Sequence, residues 1–201
     1  MNAAATHPGP RSVPRGARRA LLLDAALEVL ATEGARGLTH RAADRRAGLP
    51  EGSASNHFRT REALLEATLA HHAARDLRAA GAEGAESPQR ISRRQARDAI
   101  IAAAERILRP DERAVLVARY ELFLEASRRP ALHAELSRAR ARFVAAAERI
   151  LAASGCERPG AHGAQLVACL DGLLLDQVIA TPTSLGRDGI ADAVDRLLAA
   201  C

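Results

Sequence analysis

THRAADRRAGLPEGSASNHFRTREAL, residues 39–64, decides the fold of this chain. Thr39 has a hydroxyl that can cap the free amides at the start of a helix, and Ala42 and Ala43 begin a small apolar face behind it. Gly48 follows where a helix commonly ends in a left-handed residue, a conformation that glycine adopts without steric cost. The pattern predicts a short helix that ends in a tight turn.

A second short helix is predicted directly after the turn. Pro50 suits the first turn of a helix, where its missing N–H is not needed. The stretch from Glu51 to His57 is polar and has small side chains, and Phe58 then supplies an apolar anchor. Such a helix is held at one end while its polar side chains face outward, which is the layout of a DNA-reading helix-turn-helix.

Longer helices on both sides provide a core for the two short ones. Apolar residues recur at helical spacing before Gly34 and again after Arg61. The residues are Leu22, Leu23, Ala26, Leu27, Val29 and Leu30 in the first helix, and Leu64, Ala67, Thr68 and Leu69 in the fourth. We therefore expect a compact helical unit that closes around Phe58.

The charge of the chain is concentrated on this unit. Residues 1–61 contain ten arginines and five acidic residues, whereas residues 62–201 contain nineteen of each. The chain has no lysine, so the use of arginine reflects its general composition. The uneven distribution of charge along the chain does not follow from composition. A positive surface over a helix-turn-helix indicates a partner with phosphates, such as DNA.

Residues 18–65, about a quarter of the chain, contain a set of motif residues: Ala25-Ala26, Glu33-Gly34, Thr39, Ala47-Gly48, Gly52, Phe58 and Arg61-Glu62-Ala63-Leu64-Leu65. With these residues the segment resembles the DNA-binding domain of the TetR (tetracycline-repressor-like) family of bacterial regulators. Two departures are Pro50, where the family usually has Ser or Thr, and Ser55, where an aromatic residue is common, so an aromatic base contact is not carried over. Ala42-Ala43 replaces the common Ile-Ala.

The resemblance implies that the third helix enters the major groove of DNA. Asn56 is the preferred base reader, because Asn can pair with adenine through two hydrogen bonds. Thr39, Arg41 and Arg61 are expected to grip phosphates, and Arg36 is a further candidate. Alternatively, Thr39 is only a cap, Asn56 satisfies backbone groups, and His57 packs on the first helix. The complete predicted DNA-binding set is Thr39, Arg41, Pro50, Glu51, Gly52, Ser53, Ser55, Asn56, His57 and Arg61.

The whole chain is expected to be all-α with about nine helices, because no alternating strand pattern occurs and the apolar residues follow helical spacing. The expected organisation is a disordered arm (1–13), the helix-turn-helix domain (14–61), a linking helix (62–80) and a helical ligand-binding and dimerisation domain (88–201). The arm lacks the apolar run of a signal peptide and no apolar stretch is long enough to cross a membrane, so a cytoplasmic location is expected.

The helix predicted near residues 165–181 is apolar nearly all round, and the last helix, near 189–200, has a regular apolar stripe. One chain offers limited cover for such a helix, so a second copy is expected to supply the rest. The resemblance implies a four-helix bundle across a two-fold axis, with Gly172 allowing close approach. A homodimer would place two reading helices on a palindromic operator. The alternative is an ordinary buried core helix.

By resemblance, the second domain binds a small molecule whose identity the sequence does not give. Aromatic and polar groups among apolar residues are the candidates, since pockets place a few polar groups in apolar walls. The alternative is that the aromatics are core and the charged residues form surface ion pairs. The candidates for ligand contact are Arg119, Tyr120, Phe123, Phe143, Cys169 and Gln177.

No catalytic site, cofactor or metal site is expected. His72 and Asp76 have helical spacing but no third ligand, and Cys156, Cys169 and Cys201 are scattered, with no paired motif and no histidine expected nearby. The predicted function is a ligand-responsive transcriptional regulator, more often a repressor in this family. The alternatives are a nonspecific DNA-coating protein, or a helical small-molecule-binding protein or enzyme with an incidental basic N-terminus.

Overall fold

The computed structural model describes residues 14–81, 90–182, 184–199 and 201. Within these ranges the chain is helical and has no strand, which confirms the all-α prediction and the expected nine helices. The predicted arm 1–13 and most of the stretch between the predicted linking helix (62–80) and the predicted second domain (88–201) lie outside the described residues. The helices are α1 Arg15–Gly37, α2 His40–Arg46, α3 Ser53–His57, α4 Arg61–Ala79, α5 Arg93–Ile107, α6 Arg113–Ala126, α7 Pro130–Ala153, α8 Pro159–Ile179 and α9 Arg187–Ala199.

The helix-turn-helix has the turn that its sequence predicts. The Thr39 side chain accepts a hydrogen bond from the Ala42 amide at 3.1 Å and so caps α2. Gly48 is left-handed, with φ of +65°, and the Leu49 amide then donates to the Asp44 carbonyl at 3.0 Å. These contacts close the corner between α2 and the segment that leads to α3.

The start of α3 was predicted wrongly. The helix begins at Ser53, not at Pro50, and Gly52 before it is left-handed with φ of +92°. The amides that a Ser or Thr cap would bind are taken by Asp44 of α2, whose carboxylate accepts from the amides of Gly52 and Ala54 at 2.8 and 2.7 Å. A side chain from the preceding helix therefore replaces the local cap.

The helix predicted near residues 165–181 begins earlier in the structure than its sequence pattern indicates. The structure begins α8 at Pro159, whose ring suits a first helical position. Gly163 lies inside the helix. A Cβ at this position would be 3.1 Å from the Glu148 amide nitrogen of α7. This glycine allows the backbones of α7 and α8 to pack closely.

The largest apolar core joins the DNA-reading unit to the rest of the chain. Phe58 is buried in it together with α1 and α4, as predicted, but Ala118, Leu122 and Ala126 of α6 and Leu132 of α7 belong to the same cluster. A second cluster lies among α5, α7, α8 and α9. Among the described residues, no helix is long and apolar enough to span a membrane.

Candidate DNA interface and ligand cavity

Helix α3 is short, and contacts at both ends fix its position. Asp44, only 2% exposed, holds the N-terminal end through its two amide contacts. At the other end His40 Nε2 lies 2.7 Å from the Phe58 carbonyl oxygen, and the Phe58 ring is buried. A five-residue helix is marginal alone, so these tertiary contacts are what orient it. The role of Asp44 was missed in the sequence, although an acidic residue beside two buried alanines was a signal.

The outer face of α3 is polar and open. The Ser53 and Ser55 hydroxyls donate to the carbonyls of Pro50 and Gly52 at 2.7 and 2.9 Å, which leaves their oxygens free to accept. Asn56 is exposed, and its side chain has no hydrogen-bond partner among the described residues. The half-buried His57 packs beside Phe58, with ring centroids 6.1 Å apart. Asn56 can therefore offer its whole amide group to a partner.

Several arginines surround α3, and they differ in availability. Arg41 forms an exposed ion pair with Glu51, so two residues of the predicted set neutralise each other. Arg45 and Arg59 are exposed and form no ion pair in the part of the chain described. The sequence interpretation had not included these two. Both keep their charge unpaired in that part of the chain.

Arg61 has an internal structural contact. Its Nε donates to the Leu38 carbonyl at 2.9 Å, and a second N–H donates to the Ala35 carbonyl. The side chain therefore ties the start of α4 to the end of α1, while Thr60 caps α4 by accepting from the Ala63 amide at 3.0 Å. A phosphate contact by Arg61 stays a prediction and would have to use its remaining N–H groups.

A cavity of about 160 Å³ lies among α4, α6, α7 and α8. Its walls are mainly apolar, with His72, Arg119, Arg140 and Asp171 as polar exceptions. Three of the predicted ligand-binding residues, Arg119, Phe123 and Phe143, line it. The remaining lining residues are Leu69, Ala73, Leu136, Ala139 and Val167.

Buried ion pairs fix the polar side of the cavity. Arg119, 6% exposed, donates to Asp76 and, at 2.6 Å, to Asp171, which also accepts from Arg140 at 2.6 Å. Although burial lowers the pKa of Arg119, the two carboxylates raise it above its usual range. Arg119 therefore stays charged, and its guanidinium lies 4.9 Å from the centre of the Phe123 ring. Its Nε has no hydrogen-bond partner.

His72 of α4 is the second incompletely bonded polar group at this cavity. It is 2% exposed, and neither ring nitrogen makes a hydrogen bond, although Nε2 lies 3.4 Å from an Asp76 oxygen. Burial lowers the pKa of His72 to about 4, so the ring is neutral near pH 7. An unpaired neutral imidazole beside an apolar cavity can either donate or accept one hydrogen bond to a ligand.

The other three ligand candidates lie elsewhere. The Tyr120 hydroxyl donates to the Asp171 carbonyl at 2.8 Å, and its ring packs edge-on against Phe123. Cys169 packs in the core between α5, α8 and α9. Gln177 borders a separate cleft beside α5. None of the three lines the cavity formed by Arg119, Phe123 and Phe143.

The structure contradicts the expectation that no histidine lies near the cysteines. Cys156, His162 and Cys201 come together, with the two sulfurs 2.7 Å apart and His162 Nδ1 at 3.1 and 3.0 Å from them. The turn after α7, the start of α8 and the segment after α9 meet at this point, which sequence spacing alone did not indicate. Burial raises the pKa of the Cys201 thiol to about 11.

Two family models match the chain. Residues 22–68 match the model of bacterial regulatory proteins of the tetR family, and residues 91–200 match the tetracyclin repressor-like C-terminal domain. The second match alone covers more than half of the chain. No sequence among the curated proteins compared with the chain gives a significant match.

Solved structures give the same picture. A TetR-family protein of Streptomyces coelicolor is 30% identical, with a TM-score of 0.67 and coverage of 90% of this chain and 97% of that one. The multidrug-binding protein EbrR in complex with ethidium is also 30% identical, with a TM-score of 0.66 and coverage of 90% and 98%. A transcriptional regulator of a Rhodococcus species, 20% identical, shares the fold with a TM-score of 0.73 over 90% and 94% of the two chains.

Proposed function

Since the chain belongs to the TetR family of bacterial transcriptional regulators, we propose that it represses transcription as a homodimer, which a small molecule releases from a palindromic operator. The observation that carries the DNA-reading part is α3 itself. It is held at both ends by Asp44 and His40, while Asn56 stays exposed and unbonded, and Arg45 and Arg59 are exposed without an ion pair among the described residues.

Base reading is assigned to Asn56 and phosphate binding to Arg59. After operators are selected from a random DNA pool, Asn56→Ala should relax the preference at one position of each half-site, at a cost of about 1–3 kcal/mol. Arg59→Ala should weaken operator and random DNA alike and lower the salt dependence by about one counterion. We also propose that the chain divides into a DNA-binding domain (14–61), a linking helix (62–80) and a ligand-binding and dimerisation domain (88–201).

Arg61→Ala is a less specific probe than Arg59→Ala, because it also removes the bonds to the Leu38 and Ala35 carbonyls. It should lower both thermal stability and DNA affinity. If Asn56→Ala kept the full sequence preference of the parent, the assignment of base reading to α3 would be contradicted. A specificity ratio near one for the parent protein would instead favour a nonspecific DNA-coating role.

An exposed stripe on α8 supports the proposed homodimer. Ala164, Ala168, Gly172, Leu175 and Ile179 follow one another at helical spacing, and all are exposed. Leu175 is 39% exposed and Ile179 is 61% exposed. A Cβ added at Gly172 would have no atom within 4 Å among its neighbours in the described chain. An open apolar helix face of this kind suits the same face of a second copy.

Light scattering tests the stripe directly. The parent should have a dimeric mass at micromolar concentration, and Leu175→Arg should give a monomer. Leu124→Arg is the matched control, because Leu124 is an exposed leucine on α6 outside the stripe, 55% exposed. A monomeric parent, or a dimer that survives Leu175→Arg and not Leu124→Arg, would contradict the proposed interface.

The cavity supports a small, uncharged and mainly apolar ligand. Its volume of about 160 Å³ is close to that of an engineered cavity, ~150 Å³, that binds benzene. Its lining carboxylate, Asp171, is already paired with Arg119 and Arg140, whereas His72 and the Arg119 Nε still lack hydrogen bonds. We propose that the cavity binds its ligand without transforming it.

Phenol is a suitable probe, since it combines an apolar ring with one hydrogen-bonding group. Millimolar phenol should raise the melting temperature of the parent and not that of Ala139→Leu, which fills the cavity. An equal shift in both proteins would contradict binding at this site.

Ligand binding can reach the DNA-reading unit by two routes. His72 and Leu69 belong to α4, which begins in that unit at Arg61. Arg119 belongs to α6, where Glu121 accepts a hydrogen bond from the Ala35 amide at 3.2 Å, next to the left-handed Gly34 of α1. A ligand that separates α4 from α6 would therefore change the orientation of α3.

A further inference from the structure

The two cysteines and one histidine at the end of the second core form a compact set of three metal-binding atoms. Cys156 lies in the turn after α7, His162 in the first turn of α8, and Cys201 after α9. Their Sγ, Nδ1 and Sγ atoms all lie within 4.8 Å of one another. Cys156 and His162 are buried, at 8% each, and Cys201 is half-buried.

We propose that Cys156, His162 and Cys201 bind one zinc ion per chain, at a site separate from the ligand cavity and independent of the proposed function. Two thiolates and one neutral imidazole are a ligand set that zinc accepts, with a water molecule in the fourth position. The two thiolates balance the double charge of the ion, and soft sulfur ligands favour zinc over magnesium or calcium.

The geometry needs only a small adjustment to accept the ion. Zinc bonds of about 2.3 Å to sulfur and about 2.0 Å to nitrogen place tetrahedral ligand atoms about 3.5–3.8 Å apart. The three atoms are now at 2.7, 3.0 and 3.1 Å, so each pair must separate by about 1 Å or less. The turn that carries Cys156 contains the left-handed Gly155, and Cys201 follows a helix end, so both can move without disturbing a helix.

The protons also balance. Arg158 lies 3.4 Å from His162 Nε2 and can only donate, so in the metal-free protein Nε2 accepts and Nδ1 carries the proton. When zinc binds Nδ1, that proton moves to Nε2 and the exposed Arg158 side chain turns away into solvent. The two thiols each lose one proton to solvent as their sulfurs bind the ion.

Bound zinc would join the end of α9 to the start of α8. These are the two helices that carry the second core together with Ile100 of α5 and Leu151 of α7. Because the ion binds only when the three groups are together, it stabilises the folded form of this domain by mass action. The expected effect is a higher melting temperature in the presence of zinc.

The test uses the full chain, reduced and freed of metal by a chelator. One zinc per chain should bind in competition with a chromophoric chelator, and cobalt should give thiolate-to-cobalt charge-transfer absorption and the visible bands of a tetrahedral site. Changing an outer contact of a metal ligand costs about 10–100-fold in affinity, so loss of a direct ligand in Cys156→Ser or Cys201→Ser should cost more. Cys169→Ser, which changes the third cysteine, should bind zinc like the parent.

A measurement on the unchanged protein covers the case in which a variant does not fold. Zinc should slow the alkylation of Cys156 and Cys201 and leave the alkylation rate of Cys169 unchanged. The proposal is overturned if cobalt gives no charge-transfer absorption, if zinc protects no thiol, or if Cys156→Ser and Cys201→Ser bind zinc as the parent does. It is also overturned if Cys156 and Cys201 form a disulfide in air equally fast with and without zinc.

Discussion

Asp44→Ala should destabilise the protein and weaken DNA binding, although it makes the DNA-binding surface more positive. The buried carboxylate accepts hydrogen bonds from the amides of Gly52 and Ala54 at 2.8 and 2.7 Å. A hydrogen bond to a charged group contributes about 1.5–3 kcal/mol. Because Gly52 is half-buried, water replaces part of the loss, and we expect about 2–4 kcal/mol less stability in total.

The assay is urea unfolding at fixed protein concentration together with operator binding at fixed salt. Asp44→Asn keeps one acceptor oxygen and should lose about half as much stability. Glu33→Ala is the matched control, because it removes one negative charge from an exposed position of α1. By charge alone, Asp44→Ala and Glu33→Ala should both bind DNA slightly more tightly than the parent. Only the loss of the α3 contacts predicts about 10-fold weaker binding for Asp44→Ala.

A loss of less than about 0.5 kcal/mol in Asp44→Ala, the ordinary range of a surface substitution, would refute this role of the carboxylate. Operator binding by Asp44→Ala as tight as that of Glu33→Ala would refute it as well. Either result would mean that α3 keeps its position without the carboxylate. The backbone hydrogen bonds of the turn and the burial of Phe58 would then be sufficient to hold the helix.

Two further predictions concern the second domain. Burial lowers the pKa of His72 from 6.5 to about 4. As the pH falls, the unfolded state therefore takes up a proton before the folded state does. The free energy of unfolding should decrease by about 3 kcal/mol between pH 6.5 and pH 4. In His72→Gln this part of the pH dependence should be absent, and an unchanged slope in urea unfolding would refute the assignment. Gly163→Ala should cost about 1–3 kcal/mol, because the new Cβ lies 3.1 Å from the Glu148 amide nitrogen. Gly160→Ala, which meets only the flexible Glu148 side chain at 3.6 Å, should be neutral or stabilising by up to about 1 kcal/mol in thermal unfolding.

The parts of the fold that depend on local contacts could be predicted from the sequence. Thr39 caps its own helix through a residue three positions away, and Gly48 ends it through its own backbone conformation. Apolar spacing likewise predicted the nine helices of the described chain, since each helix buries one face. These features need no knowledge of how distant segments meet.

The parts that were missed depend on long-range contacts. Asp44 reaches across the turn to bind amides at the start of α3, where the capping residue Gly52 has no side chain of its own. Gly163 lies against the α7 backbone at Glu148, a contact that the residue spacing within α8 does not reveal. The meeting of Cys156 with Cys201 depends on where α9 ends in space. Composition and spacing do not contain that information.

The shared core constrains how a ligand can act on the proposed DNA contacts. Ala118, Leu122 and Ala126 of α6 pack in one apolar cluster with Leu27 and Leu30 of α1 and with Phe58 beneath α3. Sliding α6 against α1 would open that cluster, and each buried leucine so exposed would cost about 1.5–3 kcal/mol. The first part of α4 supplies Leu64, Leu65 and Leu69 to the same cluster, so the cluster stays closed only if α1, α2, α3, α6 and this part of α4 move together. The deformation that a ligand causes should therefore fall on the second part of α4, where the cavity already leaves His72 without a hydrogen bond.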